Sequence, residues 1–515
     1  MIPGWKSVLA AVGSAVLLVL SFPDFEVRAL ASVAFVPLLL AIGQNRESFK
    51  KSFVIGWLFG TIYFTGTVWW LTYSPINYGG FPPWLAYTLL VLVCMYVGLF
   101  PAFFSGIMAL GFRRFGAKAA FAAPFVWVAS EFARYWLSGN SWNAVGYSQA
   151  FGGSGYLILA SVGGVYLVSF ALLFFNSAIV FMFESLLRPV GKRSDLVWAG
   201  AILAVVVAGY FTLGILGHSA GSEAVKERNI VVTQVNVPMA GLTLEKWRLL
   251  RTRHVEMAEA ALAKIKASPE RAHLPTTVVF PESPMNFMYE DDEEFRRFIA
   301  DFASRNDVEV LFNSAEPDAV TDRYFNSAVM VDDRGRELVQ YDKIYLVPFG
   351  EFVPGPLRAL VPGLIGSFAS GSNFNLFPMG EGKAGVMLCY ESNFGQLSRR
   401  LVADGADILI EMTNDGYLGE TPVLRQHLAS AVFRAVETNR PVVRATNTGI
   451  TAYVTPAGEV KDAAPNYQEA IRIWDFERSD GQKTLYVRYG DWIAWLSLAV
   501  AMLMVLAAIR HKREV

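Results

Sequence analysis

Gly385-Val-Met-Leu-Cys-Tyr-Glu391 is an apolar run that ends abruptly in a thiol beside a carboxylate. Such a run, bounded by a change to polar residues, reads as a buried strand. The chain holds two cysteines, and the other, Cys94, lies inside a long hydrophobic stretch. A disulfide needs Cα atoms within about 7 Å of each other, which a thiol inside a membrane and one outside it cannot meet. Cys94 reads as a small buried hydrophobe. Cys389, with Tyr390 and Glu391 beside it, reads as a nucleophile.

The surrounding sequence alternates strand and helix patterns. Strands are predicted at Asn229–Val237, Thr276–Phe280, Val308–Asn313, Ala384–Cys389 and Ile408–Met412, and a hairpin over Phe325–Tyr341 turns at Asp332-Asp-Arg-Gly335. Helices are predicted at Leu244–Ile265, Asp292–Asn306, Gly395–Ala403 and Val423–Arg440, and Val442–Val454 leads into a turn at Pro456-Ala-Gly458. This pattern indicates one α/β domain over residues 218–489.

Three of its strand ends carry polar residues. Thr276-Thr-Val-Val-Phe-Pro-Glu282 ends in a carboxylate, the hairpin runs into Tyr341-Asp-Lys343, and a third strand ends in Cys389. Strand ends are where α/β folds place chemistry. Brought together, the three form a self-consistent set. Glu282 takes the thiol proton, Lys343 favours the thiolate and then an oxyanion, and Cys389 attacks a carbonyl and holds the acyl group as a thioester. Singly, each reads more readily as an ordinary strand-end polar residue; only the three together point to catalysis.

The rest of the chain is apolar. Of 515 residues, 53% are hydrophobic and 17% charged, against roughly 25% charged in soluble domains. The excess fills residues 1–217 and returns at 491–509. Eight spans are predicted, near 7–22, 28–43, 52–74, 84–112, 118–138, 156–185, 196–217 and 490–509. This gives a membrane domain over 1–217 with seven spans, the α/β domain over 218–489, and a last span with a short tail over 490–515. Basic residues cluster at Lys6, at Arg46, Lys50 and Lys51, at Arg113, Arg114 and Lys118, at Arg188, Lys192 and Arg193, and at Arg510, Lys512 and Arg513. With eight spans all five clusters fall on one face, while the opposite loops 74–83 and 138–155 carry no charge. The positive-inside rule then puts both termini in the cytoplasm and the α/β block on the far side. The first apolar segment lacks a clear small-x-small cleavage site and is read as a span. Glu131 and Arg134, in the fifth segment, are read as a mutually neutralising pair near its outer end. A net charge of −1 offers no electrostatic case for nucleic-acid binding.

At the strand ends the chain resembles the nitrilase superfamily of Glu-Lys-Cys enzymes. Matching segments are Phe280-Pro-Glu-Ser283, Tyr341-Asp-Lys343 with Pro348-Phe-Gly-Glu-Phe-Val-Pro354, Leu388-Cys-Tyr-Glu391, Thr413-Asn-Asp415 and Arg444-Ala-Thr-Asn-Thr-Gly449, in matching order and spacing. Within that superfamily, a polytopic first half plus one C-terminal helix is similar to the apolipoprotein N-acyltransferase family of the bacterial inner membrane, and Asn143-Ala-Val-Gly-Tyr-Ser-Gln149 is similar to an outer-loop motif of that family. The resemblance implies a polytopic α-helical membrane domain joined to a nitrilase-like αββα sandwich on the periplasmic side. It implies Glu351 as a second carboxylate that orients Lys343 or assists proton transfer, and Tyr390 and Glu391 as active-site positions. It implies Trp247, Asn414 and Tyr417 as substrate-binding, with Tyr417 standing where the family has tryptophan.

The resemblance also implies a ping-pong reaction. Cys389 takes an acyl chain from a membrane phospholipid, typically phosphatidylethanolamine, and the thioester is discharged by the α-amine of an S-diacylglyceryl-cysteine at the N-terminus of an apolipoprotein. Neither cofactor nor metal is implied. The sequence agrees, with no P-loop, no His-Glu-x-x-His, and five histidines (His218, His254, His273, His427, His511) scattered without ligand spacing. The apolar stretch Pro356–Phe368 reads either as an arm dipping toward lipid or as a buried core segment. Rival readings are a membrane-tethered serine esterase using Ser219 of Gly217-His-Ser-Ala-Gly221, a nitrilase-type amidase passing its acyl group to water, and a transporter or receptor. The esterase motif lacks the strand–turn–helix context it requires, and no paired broken helices support a transporter. The sequence specifies no oligomeric state.

Overall fold

A computed structural model describes residues 2–139, 142–153, 155–186, 200, 226–282, 287–353 and 368–510. They divide into two compact units.

The first unit comprises Met1–Ser219, Thr421–Ala429 and Tyr489–Val515. Among the described residues, three helical stretches are long and apolar enough to cross a membrane: Phe49–Asn77, Pro83–Ser138 and Leu157–Ser185. Trp5–Ser21, Arg28–Gln44 and Trp492–Ala507 are shorter apolar helices. The apolar segments expected from the sequence therefore recur as helices, but three, not eight, meet the length criterion on their own. The segment expected at 196–217, all but residue 200, lies outside the described residues. The 56-residue stretch Pro83–Ser138 comprises helices Pro83–Val97, Leu99–Phe115 and Ala123–Ser138. Small residues allow the close approach that membrane helices need. A Cβ on Gly56 would lie 2.2 Å from Ser105 Oγ and 2.3 Å from the Pro101 carbonyl oxygen, so Phe49–Val68 packs on Leu99–Phe115 only because that position is glycine.

Glu131 and Arg134 are both buried. No ion pair joins them among the described residues. Glu131 Oε1 instead accepts from the Trp127 indole and the Val145 amide, both at 2.8 Å. Arg134 donates to the Trp142 carbonyl at 2.6 Å and lies over the Phe64 ring. Tyr63 adds a 2.7 Å bond to the Asn143 carbonyl, and Ser169 accepts from the Gly146 amide at 2.9 Å. Buried loop backbone must find partners. These side chains supply them, and so they clamp the Asn143–Gln149 segment.

The second unit comprises Ala220–Glu420 and Ser430–Arg488. Its strands are β1 (Lys226–Gln234), β2 (Thr276–Val279), β3 (Glu309–Pro317), β4 (Tyr324–Val331), β5 (Glu337–Asp342), β6 (Leu376–Met379), β7 (Gly382–Leu388), β8 (Ile408–Thr413), β9 (Val442–Thr446), β10 (Ala452–Val454), β11 (Val460–Lys461) and β12 (Ala470–Glu477). Among the described residues they form two six-stranded sheets, ordered β12-β1-β2-β3-β4-β5 and β11-β10-β9-β8-β7-β6. Each sheet has a parallel centre, β1-β2-β3 in one and β7-β8-β9 in the other, flanked by antiparallel strands.

Side-chain alternation makes this a layered sandwich. Ile230, Val232, Val279 and Leu311 of the first sheet pack with Val386, Leu388, Ile410 and Val443 of the second. The opposite parity, Val231, Val278 and Val310, packs under helices Leu244–Lys266 and Glu293–Asn306 through Leu262, Ile299 and Phe302. Full burial of each such side chain is worth about 1.5–3 kcal/mol. Asp292 caps the second of these helices by accepting from Phe295 N–H at 3.0 Å, and Thr243 caps the first through Lys246 N–H at 3.2 Å. On the far side, helix Gly395–Ala403 rests Leu401 on Gly385. β6, β11 and β12 have no counterpart among the strands predicted above. β12 nonetheless alternates, with Ile471 and Ile473 toward the helices and Trp474 and Phe476 between the sheets.

Candidate active site

The two sheets deliver polar residues to strand ends. β2 runs into Phe280-Pro-Glu282, β5 into Lys343, β7 into Cys389, and β8 into Asn414. The turn Cys389–Asn393 opens with Cys389 at φ 50°, in the left-handed region. A non-glycine residue held there is strained by roughly 1–3 kcal/mol, and neighbouring contacts must hold it in place. Glu391 supplies them. Its carboxylate is fully buried and accepts from the Leu388 amide at 2.9 Å, the Ile344 amide at 2.7 Å, the Tyr345 amide at 3.1 Å and the Tyr341 hydroxyl at 2.9 Å. One carboxylate therefore laces the Cys389 elbow to the segment that carries Lys343. Burial pushes its pKa up to about 7 against the pull of the Leu388 amide and Lys343.

Glu282, Lys343 and Glu351 form one cluster. Lys343 Nζ lies 2.8 Å from Glu351 Oε1 and 3.7 Å from Glu282 Oε1. Burial by itself would lower the Lys343 pKa, but Glu351 and Glu282 outweigh it and hold the ammonium charged. Glu351 is further anchored by the Val347 amide at 2.8 Å. Glu282 accepts from the Asn414 amide at 3.1 Å and from Asn326 Nδ2 at 2.9 Å. Burial pushes the Glu282 carboxyl up, Lys343 pulls it down, and Glu351 pushes it up again.

The Cys389 thiol hydrogen-bonds to Glu282 and to Thr413. Burial first, and the Glu282 charge second, push the thiol well above its ordinary pKa, while Lys343 pulls it down. Burial and the Glu282 charge together favour the protonated thiol over the thiolate. A thiol in this state can attack only if a neighbouring group takes its proton, and Glu282 is the carboxyl that acts on it most strongly.

The remaining expected residues take different places. Asn414 acts through its backbone on Glu282, while its side chain caps the Gly416 amide at 3.1 Å and accepts from Asn447 at 3.2 Å. The Tyr390 ring meets Phe394 edge-on at 5.1 Å, and Phe394 stacks on Tyr345 at 4.1 Å. Tyr417 lies in the turn Asp415–Leu418 and is 47% exposed. Trp247 is half-buried on helix Leu244–Lys266, and its indole nitrogen is buried without a hydrogen-bond partner among the described residues. Ser283, Ser219 and its motif, and all of Pro356–Phe368 except Phe368 lie outside the described residues.

Two features escape sequence reasoning. Arg444, fully buried on β9, bridges Glu411 at 2.6 Å and Asp415 at 2.7 Å beneath the Cys389 turn. Asn326, mid-strand in β4, touches both carboxylates of the cluster. The available signal was an asparagine inside a strand pattern, a residue type depleted there.

Two family models match the chain: the apolipoprotein N-acyltransferase N-terminal domain over residues 14–178 and the carbon-nitrogen hydrolase domain over residues 240–486. An apolipoprotein N-acyltransferase of Geobacter metallireducens is 30% identical over 98% of this chain and 96% of its own length. One of Methylococcus capsulatus is 29% identical over 95% of this chain and 94% of its own. Among solved structures, the Saccharomyces cerevisiae nitrilase-superfamily protein Nit3 is 16% identical and aligns over 50% of this chain and 93% of its own, with a TM-score of 0.39.

Proposed function

The chain belongs to the apolipoprotein N-acyltransferase family and is an N-acyltransferase, and from that premise we propose that Cys389 carries a fatty acyl chain from a membrane phospholipid to the N-terminal α-amine of a diacylated apolipoprotein. Glu282 takes the Sγ proton as the sulfur attacks the ester carbonyl. The tetrahedral oxyanion faces the Lys343 ammonium. Collapse breaks the ester C–O bond, the leaving lysophospholipid oxygen receives the proton back from Glu282, and a thioester remains on Cys389. The amine of the S-diacylglyceryl-cysteine then attacks the thioester and gives its proton to Glu282. The C–S bond breaks, and the sulfur leaves and is reprotonated. Ester to thioester to amide needs no energy source beyond the ester itself. Phosphatidylethanolamine is the proposed donor.

The observation that carries this reading is the Glu282 carboxylate, hydrogen-bonded to the Cys389 thiol and 3.7 Å from the Lys343 ammonium. Glu351, Glu391 and Tyr390 support that arrangement, and Trp247, Asn414 and Tyr417 are proposed to face the substrates. The architecture suits substrates whose acyl chains stay in the bilayer. The proposed topology therefore keeps eight spans, with both termini cytoplasmic. It puts the membrane domain at 1–217, the periplasmic catalytic domain at 218–489 and the last span within 490–515 of a bacterial inner-membrane enzyme.

Mass spectrometry of the purified protein incubated with phosphatidylethanolamine tests the proposal. A fatty-acyl adduct on Cys389, discharged by a diacylated lipopeptide, is the expected result. An unmodified Cys389 under conditions where the lipopeptide is acylated refutes it.

A further inference from the structure

Two carboxylates, Glu282 and Glu351, share one ammonium at 3.7 and 2.8 Å. Carboxylates crowded into one buried site ordinarily share a proton, because like charges disfavour double ionisation. A protonated Glu282 would be useless as a base. Asn326 stands between them. Its Nδ2 donates to Glu282 Oε1 at 2.9 Å and to Glu351 Oε1 at 2.8 Å, which uses both hydrogens of the amide. Its Oδ1 accepts from Asn313 Nδ2 at 2.7 Å, and Asn313 also donates to the Ser327 carbonyl at 2.9 Å. A flipped Asn326 amide would point its oxygen at two carboxylates and its nitrogen at another nitrogen, so Asn313 locks it. The Asn326 carbonyl in turn accepts from the Lys343 amide at 2.9 Å. Both asparagines are buried on neighbouring antiparallel strands, β3 and β4.

We infer that Asn326 is a positioning residue for the proton transfer: its amide, oriented by Asn313, holds Glu282 beside Glu351 and favours the ionised form of Glu282, so that Glu282 is free to take the thiol proton. The inference rests on the assignment of Glu282 as the base. A donor bonded to an ionised carboxylate favours that form, and the Asn326 bond opposes the burial that pushes Glu282 up.

The test is the pH profile of the first half-reaction, release of lysophospholipid from a fluorescent phosphatidylethanolamine by the full-length protein in detergent. Asn326→Ala moves the acid limb upward by about one pH unit, slows acylation at neutral pH by roughly 10- to 100-fold, and leaves the donor KM unchanged. Asn326→Asp keeps the shape but turns donors into acceptors, and its acid limb moves further. Asn313→Ala frees the amide to turn and shifts the limb in the same direction by less. A residue with a merely structural role lowers the rate equally at every pH. An acid limb at the wild-type position in Asn326→Asp therefore overturns the inference whatever the rate. If the Asn326 variants fail to fold, an unshifted limb in Asn313→Ala overturns it equally. Acyl transfer surviving in Cys389→Ala sinks the catalytic assignment itself, a separate outcome from an unshifted limb in an enzyme that still depends on Cys389.

Discussion

Replacing Lys343 by methionine keeps the length of the side chain and removes its charge. In the structure that charge lies 2.8 Å from Glu351 and 3.7 Å from Glu282. At an effective dielectric of about 20 the two attractions are each of order 5 kcal/mol before desolvation is subtracted. Removing one partner of a buried charge cluster costs a net ~3–5 kcal/mol. The pH dependence follows by sign. The folded Lys343 pKa is raised, so its stabilisation is fully present below the unfolded lysine value near 10.4 and is constant between pH 5 and 8. In Lys343→Met the Glu282 carboxyl loses its counter-charge, and its folded pKa, already pushed up by burial, moves further above the unfolded glutamate value near 4.3. Stability of the variant is then greatest at low pH and falls as pH rises through that raised value. The variant therefore loses more stability relative to wild type at pH 8 than at pH 5. Acylation falls by at least about 100-fold, the scale of losing one oxyanion stabiliser. Thermal unfolding at the two pH values, alongside lysophospholipid release, checks this. An equal unfolding deficit at pH 5 and pH 8, or acylation within tenfold of wild type, refutes the reasoning.

Further expectations rest on other contacts. Glu282→Gln removes both the proposed base and the charge that suppresses the thiolate, so Cys389 alkylates faster with iodoacetamide at pH 8 while acyl transfer drops by about 10²–10⁴-fold; slower alkylation in this variant contradicts the Glu282–Cys389 coupling. Arg444→Met strands Glu411 and Asp415 in the core and costs about 3–5 kcal/mol, read as lost folded yield or a lowered unfolding midpoint; a midpoint unchanged within a degree argues that the cluster is not a stabilising pair. Gly56→Leu forces Phe49–Val68 away from Leu99–Phe115 and lowers the unfolding midpoint of the membrane unit, whereas Gly4→Leu, at an open position, leaves it unchanged; equal behaviour of the two variants removes the packing argument.

What the sequence carries is local. Strand segments such as Val231–Thr233 and Ile408–Ile410 announce themselves by continuous β-branched or apolar runs, and helix Gly395–Ala403 begins and ends where its pattern does. Glu282 and Cys389 stood out because each closes an apolar run, and Lys343 because it ends the hairpin segment Tyr341-Asp-Lys343. The family motifs then tied the three together. β3 shows where local reading ends. It extends through Glu316 and Pro317 because those residues pair with Phe325 and Tyr324 of β4, a hairpin partnership that a short apolar window does not reveal.

Glu131 and Arg134 mark the same limit in the membrane unit: their partners include backbone groups of a loop whose course no helix pattern specifies. By itself, the sequence marked the apolar helical segments, the central strands of both sheets, and Glu282, Lys343 and Cys389 as polar residues at strand ends, because hydrophobic period and residue type are properties of neighbours along the chain. Tertiary structure alone decided that Asn326 spans Glu282 and Glu351, that Glu391 ties the Cys389 turn to the lysine segment, and that Arg444 sits buried between two acids. All but the Leu388–Glu391 bond join residues 25 or more positions apart, and a hydrogen bond exists only where folding has brought donor and acceptor within 3 Å or so.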